Sequence, residues 1–119
     1  MKYNEEQNVL YLKLSGQLSK EAILSVLNWA RSDEKYKKST GRIWDFREAD
    51  LSSVDAMTII EMAQYPNEFP TETNDVKVAL VASADLEYGL GRMFEMATES
   101  SAAIQVFRSI AKAEDWLAR

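Results

Sequence analysis

A chain of 119 residues with 46 % apolar and 28 % charged residues, four Gly and two Pro has the composition of one ordered globular domain spanning residues 1–119. The absence of Cys and His excludes disulfides, thiol nucleophiles, Cys/His zinc sites and the Ser-His-Asp relay, so any metal would be a hard, oxygen-bound ion. A net charge of −5 repels nucleic-acid backbones and anionic lipid surfaces, and no window approaches the ~20 apolar residues of a membrane span. The expectation is a cytoplasmic protein, with neither nucleic acid nor an integral membrane segment among its partnerships.

The run VLYLKL from Val9 to Leu14 is rich in strand-forming residues, and Lys2 to Glu6 can pair with it through a tight turn at Gln7-Asn8. After Gly16, Ser19 suits an N-cap, Glu21 suits the positive end of a helix, and Ala22, Ile23, Val26, Leu27 and Ala30 recur at helical spacing. This predicts a first helix from about Ser19 to Ser32. The charged stretch from Asp33 to Ser39, with Lys35, Lys37 and Lys38, reads as a solvated loop. Gly41 then introduces Arg42-Ile43-Trp44-Asp45-Phe46, a strand ending near the acidic segment Arg47 to Asp50.

Ser52 followed three residues later by Asp55 is a capping-box-like pair, and Val54, Met57, Ile60 and Ala63 follow on one face, predicting a second helix from about Ser53 to Gln64 that Pro66 helps to stop. Residues 67–75 read as a surface loop. Val76 to Ala82 (VKVALVA) is a buried strand. A third helix, capped by Ser83 or Asp85, carries Leu86, Leu90, Met93, Phe94 and Ala97 as its apolar stripe. A last strand from Ala103 to Phe107 and a final helix capped by Ser109, with Ile110, Ala113, Trp116 and Leu117 on one face, complete the chain. The order ββαβαβαβα predicts an α/β domain: a mixed, mostly parallel five-stranded sheet with an N-terminal hairpin and four helices.

This order, with the strand Ile43-Trp44-Asp45-Phe46 leading into Leu51-Ser52-Ser53-Val54 at a helix start, resembles the STAS superfamily of bacterial anti-sigma-factor antagonists. Val106-Phe107-Arg108, Ala113 and Trp116-Leu117 resemble more particularly its SpoIIAA-like branch. In the antagonists an Asp-Ser-Ser-Gly segment starts the second helix and phosphorylation of its second serine switches partner binding. By this resemblance Ser53 is the modified residue, with Leu51 where the Asp would stand and Val54 where the Gly would stand. The resemblance also implies a relation to small domains associated with apolar or lipid-like ligands, with no catalytic machinery.

Ser52 and Ser53 sit where a strand end meets a helix N-terminus, a place whose amides and dipole would favour a phosphate on either hydroxyl, or where a serine simply caps the helix. Asp45, Glu48, Asp50 and Asp55 crowd the same junction and could offer oxygen ligands to Mg2+, or form a solvated acidic loop with a capping Asp. Gly89 and Gly91, each costing ~1 kcal/mol in a helix relative to Ala, call for close approach of the sheet, another subunit or a ligand. Arg92 could hold an anionic group with Tyr88 as hydroxyl donor, or pair with Glu95 or Glu99. Met57, Met62, Met93 and Met96, with Trp44, Phe46 and Phe94, could form an adaptable apolar pocket or simply the core; Met62 and Met96 fall off the main stripes, which points to a second buried surface such as a groove or a subunit contact.

These readings converge on a non-enzymatic module that binds a protein partner or a small apolar or amphipathic ligand near the junction and the start of the third helix. The candidate contact residues are Trp44, Asp45, Phe46, Ser52, Ser53, Met57, Tyr88, Arg92 and Phe94, and no cofactor is called for. Three alternatives stand beside it: a Mg2+-dependent hydrolase or phosphotransfer protein using Asp45 and Asp50, a partner switch controlled by Ser53 phosphorylation, and a homodimer formed through the glycine face of the third helix.

Overall fold

The computed structural model describes residues 1–63, 76–97 and 103–119, and the chain opens with the expected hairpin. Strand β1 (Lys2–Asn4) pairs antiparallel with β2 (Val9–Gln17), Tyr3 opposite Leu10. Asn8 closes the turn in the left-handed region at φ 58°, where Asn is among the better-tolerated side chains. Its own side chain accepts from the Tyr3 hydroxyl and donates to the Lys38 carbonyl.

Helix α1 (Lys20–Arg31) follows, the Ser19 side chain accepting from the Ala22 amide as expected of the cap. The next segment differs from the sequence reading. Residues expected to be a solvated loop form a short helix, α2 (Glu34–Lys38), because Asp33 caps the Lys35 amide and Tyr36 is buried beneath the stacked Arg42 guanidinium, 3.7 Å from its ring centre. The lysines on either side of Tyr36 are exposed, so the charge run is the outer face of a helix whose inner face is one aromatic ring.

Strands β3 (Gly41–Asp50), β4 (Lys77–Val81) and β5 (Ala103–Phe107) complete a sheet of order β1-β2-β3-β4-β5, in which β2 to β5 run parallel. Strand β3 runs through the acidic segment near which it was expected to end, to Asp50. Its register against β2 shifts between Lys13 and Ser15. Helices α3 (Ala56–Ala63), α4 (Asp85–Ala97) and α5 (Ile110–Leu117) supply the remaining connections. Among the described residues there are thus five helices, with α2 added to the four expected. The stop at Pro66, the loop at 67–75, the side chain of Met62 and Glu99 lie outside the described residues.

Alternation along the strands divides the core in two. Leu10, Leu12, Leu14 and Trp44 face one side and pack with Ile23, Leu27 and Ala30 of α1, Tyr36 of α2, Ile59 of α3 and Leu90 of α4. Val9, Ile43, Ala79 and Val81 face the other side and are covered by Ala113, Trp116 and Leu117 of α5. Gly41 is needed there, since a Cβ would lie 3.2 Å from Val9 and 3.3 Å from Leu117. No helix among the described residues is long and apolar enough to cross a membrane.

Candidate functional site

At the carboxyl ends of β2 and β3 the backbone is closely tied. The Leu18 amide donates to the Asp50 carbonyl at 3.0 Å, and the Val54 amide closes a turn onto the Leu51 carbonyl at 2.9 Å. Leu51 and Val54 are buried anchors, while Ser52 and Ser53 between them are exposed. A turn with apolar ends and polar centre presents both hydroxyls outward.

The serines were expected at the helix start, with capping as their ordinary role, but Asp55 performs it: its carboxylate accepts the Thr58 amide at 2.8 Å and α3 begins at Ala56. Hydrogen bonds from Thr58 hold the Asp55 carboxyl below its usual range. Asp50 is held low in the same way by Ser52, whose amide it accepts at 2.8 Å. Ser53 is left for a different contact, its hydroxyl oxygen accepting from the Gln17 side-chain amide at 2.6 Å.

The turn also meets α4, as the sequence reading requires, but through a residue it did not select. Glu87, 8 % exposed, accepts the Leu51 amide at 3.0 Å. A carboxylate at helical spacing from Leu90 and Phe94 (i, i+3, i+7) lies on the apolar face of its helix, and that misplaced charge was the available signal. Gln17 carried no comparable signal, because its role arises only from the pairing of Gln17 with Asp50 across the parallel ladder.

The remaining candidates divide among several surroundings. Trp44 is buried in the core beneath the helices, and Phe46, Met93 and Phe94 pack against the same cluster. Asp45 projects to the opposite side of the sheet, on the face of Ile43. There its two carboxylate oxygens accept from the Arg47 guanidinium at 2.9 Å each, and one also takes the Arg47 amide at 3.0 Å where the ladder shifts register. Burial pushes the Asp45 carboxyl up, but the hydrogen bonds and charge of Arg47, with the charge of Lys13, outweigh it and hold the group below its usual range.

Met57, expected on the inward face of its helix, is 65 % exposed, and Ile59 is the buried residue. Starting the helix three residues later than predicted changes which positions the turn at its head points inward. Tyr88 lies under the Arg108 guanidinium, 4.0 Å from its ring centre, and Arg108 also bonds the Asp85 carboxylate and the Ser83 carbonyl. Asp85 is therefore in the first turn of α4 and held by β5's end; the Ala84 carbonyl receives the first helical amide, from Tyr88. Arg92 forms the ion pair with Glu95, at 3.5 Å, and Glu95 also accepts the Val106 amide on the outer edge of β5.

Among the described residues no three acidic side chains come within metal-holding reach of one another. A cavity of about 50 Å³ lies on the α5 side, lined by Gln7, Val9, Tyr11, Glu114, Leu117 and Ala118. It is several-fold smaller than the ~300 Å³ at which organic ligands begin to be enclosed.

No protein-family model and no curated protein matches the chain. Among solved structures it is similar to an uncharacterised DUF3478-family protein from Shewanella loihica PV-4 described as having a SpoIIAA-like fold, with a TM-score of 0.55 and 19 % identity over 90 % of this chain and 81 % of that one. The order of strands and crossovers expected from the sequence agrees with that likeness. The chain has a SpoIIAA-like α/β fold.

Proposed function

We propose that the chain is a non-enzymatic interaction module that docks a protein partner on the turn at Leu51–Val54, with Ser53 as the hydroxyl whose phosphorylation would switch that contact. The observation that carries the reading is the setting of Ser53: an exposed hydroxyl on a turn fixed from below by two buried anchors, from one side by Gln17 and from behind by Glu87. A rigid, outward-facing loop costs little conformational entropy to bind. Met57, exposed just beyond the turn, offers an adaptable apolar contact beside it. Phosphorylation would add about two negative charges to a hydroxyl that now accepts a hydrogen bond, so both the charge and the Gln17 contact would change.

This shallow surface suits a folded partner better than an enclosed small molecule. Hydrolytic chemistry at Asp45 and Asp50 finds less support, since Asp45 is held by Arg47 on the other side of the sheet and Asp50 by Ser52. The test is affinity capture from cells with the wild-type chain, Ser53→Asp and Met57→Glu, followed by calorimetry of each against the purified captured protein. Loss of at least about tenfold in affinity with both variants, worth ~1.4 kcal/mol, supports the reading. A captured partner that binds all three equally overturns it.

A further inference from the structure

Peroxide chemistry on this chain falls to its thioethers. Without Cys there is no thiolate to react first, and methionine is the remaining side chain that peroxides convert reversibly. Of the five Met, Met93 packs against the core, whereas Met1, Met57 and Met96 are 40 %, 65 % and 77 % exposed. Access favours Met57 and Met96 over Met93.

The two exposed helical methionines have different surroundings. Met96 lies near the end of α4, while Met57 is the second residue of α3. Helical side chains lean toward the N-terminus of their helix, which carries the Met57 thioether toward the turn at Leu51–Val54. The polar groups around that turn already have protein partners: Asp50 accepts the Ser52 amide, Ser53 accepts from Gln17 and Asp55 accepts the Thr58 amide. Leu51, Val54 and Ile59 are buried, so Met57 is the large apolar side chain that this surface presents to water.

We propose that Met57 is a peroxide-responsive modification site whose oxidation releases a partner docked on the turn. The proposal rests on the docking reading and adds its regulation. The sulfur lone pair attacks one peroxide oxygen, an S–O bond forms as the O–O bond breaks, and the departing hydroxide takes the proton from the new S–OH group to leave as water. Sulfur is oxidised by two electrons and the peroxide is reduced by two. The product carries a strong acceptor oxygen where an apolar partner surface had met a thioether, and docking would bury that oxygen unpaired. The fold is untouched, because the side chain projects into water. Thiol-dependent sulfoxide reductases restore the original group.

The test is limited treatment of the full chain with hydrogen peroxide, removal of the excess with catalase, location of the added oxygen by peptide mass spectrometry, and calorimetric titration against the protein captured on the untreated chain. Met57 gains oxygen ahead of Met93, the melting temperature is unchanged, and affinity falls at least about tenfold. Met57→Leu, close in volume, keeps its affinity through the treatment, whereas Met96→Leu loses it as the wild type does. Incubation with sulfoxide reductases for both epimers returns the wild type to its starting affinity. Met57 left unoxidised, a Met57 sulfoxide that binds as tightly as the untreated chain, or an equal loss in treated Met57→Leu overturns the proposal. If Ser53→Asp and Met57→Glu bind as the wild type does, the docking reading fails and the switch fails with it; if both lose affinity while the sulfoxide keeps it, the switch alone fails.

Discussion

The Glu87 carboxylate accepts the Leu51 amide at 3.0 Å and thereby joins the first turn of α4 to the end of β3, positions 36 residues apart in the chain. Both groups are buried. Removing the acceptor strands the amide, so Glu87→Ala should cost about 1–3 kcal/mol in urea unfolding. Glu87→Gln keeps a carbonyl oxygen in place and should cost less than Glu87→Ala. Hydrogen exchange at the Leu51 amide should quicken by a larger factor in the alanine variant than in the glutamine variant, which separates loss of this bond from a general loosening of α4.

The glycines of α4 should respond in opposite directions. Gly91→Ala drives a methyl group against Val106 and should destabilise by about 1–3 kcal/mol. Gly89→Ala, whose Cβ meets nothing within 4 Å among the described residues, should stabilise by about 1 kcal/mol. Parallel denaturant titrations check both signs.

Acid should weaken the fold through Asp45. Its carboxyl titrates in the native state below the ordinary value of 3.8, so the native state binds fewer protons than the unfolded chain just below that value. The stabilisation is complete above it and is lost as pH falls through the lowered native value. Asp45→Asn should therefore be less stable than wild type at pH 6, and the gap should narrow in unfolding curves taken well below pH 4.

Alkali should act through Tyr11. Burial, followed by its 2.6 Å hydrogen bond to Glu114 and that residue's charge, pushes the Tyr11 hydroxyl up to about 12 from 10.0. A raised native value means stabilisation that is complete below pH 10 and lost as pH climbs toward 12. Tyr11→Phe should show a smaller loss across that interval, followed by circular dichroism, with phenolate absorbance of the wild type reporting the ionisation.

Much of the architecture was legible because residue type and spacing are strong signals: the strand-forming run from Val9 to Leu14, the helical spacing of Ile23, Leu27 and Ala30, and Ser19 and Ser109 as caps all appear in the structure. What escaped was short or dependent on distant partners. Helix α2 rests on one ring, Tyr36, whose burial depends on Arg42 in the next strand. The choice between Ser52 and Asp55 as cap displaced the start of α3, and with it the side on which Met57 was placed. Within the candidate site, neighbours along a strand were read as one group, although Trp44 and Asp45 point to opposite sides of the sheet. The meeting of the turn with α4 was anticipated; its agent, Glu87, was hidden by the assumption that a carboxylate faces water.

Among the described residues, one side of the sheet is sealed by α5, whose Ala113, Trp116 and Leu117 cover Val9, Ile43, Ala79 and Val81. Those strands are all synthesised before the residues that close over them. A nascent chain whose strands have left the ribosome ahead of α5 therefore carries a bare oily wall, and the interval before α5 emerges is when chaperones have most to protect.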